Sequence, residues 1–198
     1  MHQPELTTQR PRIFSLIGMP GGGKSTVGRH LARRLARSFA DTDHVIERQV
    51  GCTVRTFFEQ EGEERFRDIE SAVLGELIHS ASGVIATGGG IVLREANREL
   101  LRDHTVCIYL RSTPEELFRR LRHDTKRPLL QVADPLGRLR ELFVKRDPLY
   151  RHAAQFVLET GRPSVPALVN MILMQLELAG LVDGANAMPP DPEGTPPH

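Results

Sequence analysis

Nowhere in the 198 residues is there a run approaching the roughly 18 consecutive apolar residues of a membrane span. The opening Met1-His2-Gln3-Pro4 also lacks the basic-then-apolar order of a secretory signal. Cysteine is scarce. Cys52 and Cys107 are far apart and have no metal-type spacing, and Cys107, inside Val106-Cys107-Ile108-Tyr109-Leu110, reads as a buried thiol. No charge of one sign dominates either: 26 basic and 25 acidic residues leave a formal charge of +1, which offers no general attraction to nucleic acid or an anionic membrane. These absences predict a cytoplasmic protein whose partners include no nucleic acid and no membrane. The 39% hydrophobic and 26% charged fractions are ordinary for a globular chain of one domain with a substantial core.

Lysine is rare as well, with three in a chain that otherwise uses arginine, and one of them falls in the most distinctive stretch. Gly18-Met19-Pro20-Gly21-Gly22-Gly23-Lys24-Ser25-Thr26 fits the phosphate-loop spacing G-x-x-x-x-G-K-[ST]. Consecutive glycines let successive backbone N–H groups point inward at an anion, and the following helix adds its unpaired N-terminal donors and positive dipole end. Gly21, Gly22, Gly23, Lys24, Ser25 and Thr26 are therefore a nucleotide cradle. Lys24, read as facing ligand and not as part of the core, reaches the β/γ-phosphates, and the Ser25 hydroxyl ligates Mg²⁺. The context is right: Ile13 to Ile17 reads as a buried strand entering the loop. Val27, Leu31, Leu35 and Phe39, at i, i+4 spacing, read as the helix leaving it.

Further along, Asp41-Thr42-Asp43 has two readings. On a strand, aspartates at i, i+2 share one side and could both face a cleft, Asp41 toward Mg²⁺ and Asp43 toward a substrate hydroxyl. Alternatively the segment is a turn with a helix N-cap. Helices are predicted over Thr53 to Gln60 and, after a break at Gly62, over Glu63 to His79, with Phe66, Ile69, Val73, Leu74, Leu77 and Ile78 as the buried stripe. Arg67 sits near the start of the second, where a solvated surface charge is the commonest role. Gly83 to Thr87 reads as a strand running into Gly88-Gly89-Gly90, and three glycines there point to close approach of backbone to a ligand. Thr113-Pro114-Glu115-Glu116 is a helix start after a strand over Thr105 to Leu110. The dense basic stretch Arg119 to Arg127 would lie across the edge of the sheet that carries the phosphate loop. A helix over Leu136 to Arg146, a strand over Gln155 to Glu159 and a closing helix over Pro166 to Leu181 complete an alternating pattern. The predicted architecture is a three-layer α/β fold with a central parallel sheet and a mobile lid over about 120–135. Residues 1–11 are expected to be a disordered leader, 12–182 one P-loop domain, and 183–198 a disordered proline-rich tail.

Taken in order, GMPGGGKST at 18–26, DTD at 41–43, GEERFRDIE at 62–70, ATGGG at 86–90, RPLL at 127–130 and RDPLY at 146–150 resemble the shikimate kinases of the nucleoside monophosphate kinase-like group, over residues 12 to about 180. The resemblance implies ATP-dependent phosphorylation of the 3-hydroxyl of shikimate, on the way to chorismate and the aromatic amino acids, with Mg²⁺ as cofactor and a monomeric enzyme. It implies that Lys24 and Ser25 meet phosphate and Mg²⁺, that Asp41 is a second Mg²⁺ position, and that Asp43, Arg67, Gly88, Gly89, Gly90 and Arg146 contact shikimate. Arg127 becomes the lid arginine on the transferred phosphate, so that Lys24, Asp43 and Arg127 carry the catalysis. Arg120, Arg122 or Arg162 stand for the less regular adenine contacts. Two rival readings are a related gluconate-type or nucleoside monophosphate kinase and a catalytically silent ligand-sensing domain. Against the second, Ser25, Asp41 and Asp43 are all present.

Overall fold

A computed structural model of the chain describes residues 12–80, 83–121 and 132–183. The expectations for the leader, for most of the lid with Arg122 and Arg127, and for the tail beyond Asp183 fall on residues outside these ranges.

Five strands form one sheet in the order β2-β3-β1-β4-β5, with every described pairing parallel. They are β1 (Phe14–Ile17), β2 (Ser38–Asp41), β3 (Gly83–Ala86), β4 (Val106–Arg111) and β5 (Phe156–Glu159). β1 is central, and each of its residues is buried. Its side chains alternate between two faces: Ile13 and Ile17 join one core with Ile85, Tyr109 and Tyr150. Phe14 and Leu16 join the other with Val27, Leu31, Ile108 and Leu168. A parallel strand covered on both faces reads as a continuous apolar run, which is what Ile13 to Ile17 is. Helices on both faces make the predicted three layers.

The helices are α1 (Lys24–Arg34), α2 (Thr42–Val50), α3 (Val54–Ser80), α4 (Glu95–His104), α5 (Pro114–Leu121), α6 (Pro135–Ala153) and α7 (Val165–Leu178). α3 is kinked where Gly62 takes φ 81° and ψ 171°, as its position in the pattern predicted. α5 opens with a reciprocal capping box. Glu116 N–H donates to Thr113 Oγ1 at 3.3 Å, and Thr113 N–H donates to Glu116 Oε2 at 2.9 Å.

Two boundaries differ from the sequence pattern. Phe39 belongs to β2 and not to the first helix, which ends at Arg34. Ala36, in the left-handed region at φ 50°, turns the chain, with its N–H on Arg33 O and the Arg37 N–H on Ala32 O. A glycine usually marks such a stop; an alanine hid it. At the other end of the chain, α6 does not stop at Arg146 but continues through Pro148 to Ala153. The ring of Pro148 denies a donor to the carbonyl of Val144, a residue 73% exposed, so water can take that oxygen. Cys107 is buried as expected, and burial pushes its thiol up to about 12.

Candidate active site

The loop after β1 turns by way of Gly21 and Gly23, at φ 81° and 83°, and is closed by Gly22 N–H on Met19 O at 3.0 Å. An L side chain at either left-handed position would be strained. Lys24 begins α1 and is only 7% exposed. Its ammonium folds back over the loop and donates to Gly18 O and Met19 O, both at 2.9 Å. The lysine is thus built into the loop, contrary to the reading that it merely faces ligand.

Ser25 Oγ donates to Asp41 Oδ2 at 2.5 Å, across from α1 to the end of β2. Asp41 is also the N-cap of α2, with Oδ1 accepting from the N–H of Asp43 at 3.1 Å. The N-cap reading of Asp41 therefore holds, and the same carboxylate also meets Ser25 at the cleft. The two aspartates are not brought together by alternation along a strand, however. Asp41 ends β2, and Asp43 follows in the first turn of α2. Thr42 between them is fully buried, and its Oγ1 accepts the Gly88 N–H at 2.9 Å. Asp43 is partly buried, and burial pushes its carboxyl above the ordinary range. Neighbouring Asp41 pushes the same way, while Lys24 and Arg67 oppose it.

The three glycines after β3 have no left-handed φ among them. What each lacks is room. A Cβ on Gly88 would stand 2.6 Å from Asp43 Oδ1 and 2.8 Å from Glu70 Oε1. One on Gly89 would meet the Pro20 ring at 2.6 Å, and one on Gly90 would run into the Arg67 guanidinium. The close approach read from the sequence is therefore to side chains of the site itself.

Arg67 is no surface charge. Its side chain is 11% exposed and lies against the paired rings of Phe58 and Phe66, whose centroids are 4.4 Å apart, at 5.6 and 5.3 Å from those centroids. Nη1 donates to Glu70 Oε2 at 2.6 Å and Nη2 to Glu63 Oε1 at 3.0 Å. Glu70 is 1% exposed, and burial raises its pKa against the pull of Arg67. From α6, Arg146 Nη1 and Tyr150 Oη both donate to Gly89 O, at 3.1 and 2.5 Å.

Lys24, Ser25, Thr26, Asp41, Asp43 and Gly89 share a cleft of about 540 Å³ with Arg29, His44 and Glu47, which the sequence did not single out. Arg67 and Arg146 flank it behind Gly90 and Gly89. Arg120 and Arg162 do not line it. Arg120 is fastened between the ends of β4 and β5, on Ser112 Oγ at 3.4 Å and on Thr160 O, and Arg162 is exposed just beyond β5. Glu70 could have been found from the sequence: four residues from Phe66 and from Leu74, it occupies the apolar stripe of α3. Nothing in the sequence announced that Thr42 would hold Gly88.

The Ser25 hydroxyl and Asp41 carboxylate set hard oxygen donors side by side. Mg²⁺ is commonly held by one or two carboxylates together with substrate phosphates, so this sparse set fits it. Among the described residues no group of three or more His, Cys, Asp or Glu could hold a metal by itself. No described helix is long and apolar enough to cross a membrane.

The shikimate kinase family profile matches residues 20–177. Among curated relatives, shikimate kinase of Paracidovorax citrulli is 57% identical over 84% of this chain and 92% of its own. That of Cupriavidus pinatubonensis is 52% identical over 92% and 95%. Among solved structures, shikimate kinase from Acinetobacter baumannii in complex with shikimate superposes with a TM-score of 0.80 at 44% identity, over 85% of this chain and 94% of that one. A gluconokinase from Sinorhizobium meliloti, at 15% identity and a TM-score of 0.53 over 85% and 93%, shares the fold alone. The chain belongs to the shikimate kinase family.

Proposed function

We propose that the cleft between the phosphate loop and the Gly88–Gly90 turn is where this chain performs its family's reaction, transfer of the ATP γ-phosphoryl group to the 3-hydroxyl of shikimate. ATP is the co-substrate, and the product, shikimate 3-phosphate, leads to chorismate and the aromatic amino acids. The observation that carries the assignment of residues is the convergence of Asp43, Arg67 and Arg146 on one three-glycine turn beside Lys24.

Shikimate has one carboxylate and three hydroxyls, and transfer needs one hydroxyl oxygen in line with the γ-phosphorus while charge spreads over the moving group. Arg67 and Arg146 are assigned to the carboxylate, because a guanidinium offers paired donors in a fixed fork. Asp43 orients the 3-hydroxyl and accepts its proton. The absence of Cβ atoms at Gly88, Gly89 and Gly90 leaves Asp43, Glu70, Pro20 and Arg67 where they are. The N–H groups of residues 21–26 and the Lys24 ammonium hold the phosphates. Bound with the nucleotide, Mg²⁺ neutralises phosphate charge as a Lewis acid, and Ser25 and Asp41 are the residues that would hold it. The resemblance adds Arg127 on the transferred phosphate, a lid over about 120–135 that excludes water, and Arg120 or Arg162 on the adenine side. Positioning of this kind contributes on the order of several kcal/mol. A monomeric, cytoplasmic enzyme completes the reading, as does one domain over 12–182.

A coupled assay of ADP release with shikimate, gluconate and nucleoside monophosphates tests the acceptor, with turnover expected for shikimate alone. The carboxylate assignment has a sharper test. Arg67→Ala is expected to cost about 2–4 kcal/mol in kcat/KM for shikimate with little change in the KM for ATP. Because that substitution also strips Glu70 of its partner, the ligand is varied too. Converting the shikimate carboxylate to an amide should impair the wild type badly and Arg67→Ala much less. Equal losses in both proteins would remove Arg67 from the acceptor site.

A further inference from the structure

The carbonyl of Gly89 receives two donors from one helix. Arg146 and Tyr150 are four residues apart on α6, so their side chains emerge on the same face and reach the same oxygen. The two donors differ in freedom. Tyr150 is fully buried, and its ring stacks on Tyr109 with centroids 4.9 Å apart and an angle of 29°. Burial raises the pKa of its hydroxyl, which therefore stays a neutral donor at any physiological pH. Arg146 is only partly buried. In the reading above its guanidinium has a second destination, the carboxylate of the acceptor.

If Arg146 were the sole partner of the Gly89 carbonyl, turning toward that carboxylate would leave a half-buried oxygen without a hydrogen bond. It would also loosen the turn that shapes the acceptor pocket. The turn's other end is fixed independently, by Gly88 N–H on the buried Thr42 hydroxyl. We propose that Tyr150 is a positioning residue for acceptor binding: its hydroxyl keeps the Gly89 carbonyl satisfied when Arg146 turns to the shikimate carboxylate. The proposal rests on the assignment of Arg146 to that carboxylate. On this view the α6 pair divides the work, the tyrosine holding the backbone and the arginine reading the ligand.

Tyr150→Phe keeps the ring and its stack on Tyr109 and deletes only the hydroxyl. Steady-state kinetics of the wild type, Tyr150→Phe, Arg146→Ala and the double variant test the idea. Tyr150→Phe is expected to raise the KM for shikimate roughly five- to tenfold, the worth of a hydrogen bond to a half-buried acceptor, with kcat and the KM for ATP within about twofold. In the Arg146→Ala background the same change should add less than about twofold, because no arginine remains to be drawn off the carbonyl. An unchanged shikimate KM in Tyr150→Phe would overturn the proposal. So would the same factor in both backgrounds, which would make the hydroxyl an ordinary structural bond. A like rise from Tyr109→Phe, whose hydroxyl serves Asp147 instead, would show that losing any hydroxyl that ties α6 to the sheet has the same effect, and would overturn it too. If Arg146→Ala itself leaves the shikimate KM unchanged, the assignment of Arg146 fails first and the proposal falls with it.

Discussion

Replacing Lys24 by alanine is expected to lower kcat for phosphoryl transfer by about 10²–10³-fold, the usual loss when one preorganised donor to developing charge is removed. The ammonium sits where it does because its own loop holds it there, on the carbonyls of Gly18 and Met19. The fold itself thus holds the ammonium at the loop, and the expected loss of rate rests on its proposed assignment to the phosphates. The same bonds mean that the substitution is not silent in the folded protein. Two loop carbonyls lose a charged donor, and a buried side chain is truncated, so a modest fall in melting temperature accompanies the loss of rate. Lys24→Met keeps most of the buried stem and separates the two effects: its melting temperature should recover toward wild type, and its kcat should not. A kcat near normal in either variant would end the assignment of the phosphate loop as the nucleotide site.

Why this site was legible in the sequence follows from what each part requires. The phosphate loop needs glycine at left-handed positions and a lysine at one spacing, and few sequences satisfy both by accident. The triple glycine was legible as a place where a Cβ has no room, although the crowding groups are Asp43, Pro20 and Arg67. Asp41 was ambiguous because one carboxylate performs two tasks, capping α2 and meeting Ser25. Arg67 was harder. Its burial depends on the paired rings of Phe58 and Phe66 against it and on Glu70 beside it, and no one-dimensional pattern reports that an arginine packs on rings. The course of α6 was illegible for a different reason. Pro148 normally ends a helix, and it is tolerated here on the exposed side of one. The roughly two extra turns beyond Arg146 carry Tyr150 back to Gly89, so the misread boundary conceals a residue of the site. Ala36 hid the end of α1 in the same manner, by doing without the glycine that usually marks it.

Asp43→Asn is the substitution with the largest expected effect, and rate and stability should move in opposite directions. If Asp43 takes the proton of the 3-hydroxyl, as proposed above, its replacement is expected to cost about 10²–10⁴ in kcat. Its stability effect has the other sign. Burial and the charge of Asp41 raise its folded-state pKa above the unfolded value, so the folded protein prefers the neutral carboxyl. The associated stability is present at low pH and is lost as pH rises through the raised pKa. At neutral pH the ionised carboxylate is a burden on the fold, offset only in part by Lys24 and Arg67, and asparagine removes it. The variant is thus expected to melt above wild type at pH 7 and to lose that advantage under mildly acidic conditions. On that assignment activity follows the ionised form, so the acid limb of the wild-type kcat/KM profile, which reports the free enzyme, should lie above the ordinary carboxylate range. Glu70, raised by burial in the same pocket, is the other group able to shape that limb. Glu70→Gln separates the two by retaining the limb if Asp43 is responsible. The measurement is a pair of curves on wild type and Asp43→Asn, kcat/KM and melting temperature against pH. An active enzyme with wild-type kcat would remove Asp43 from the chemistry. A lower melting temperature at pH 7 would show that the carboxylate is needed by the fold, most directly through its place beside Arg67 and Gly88.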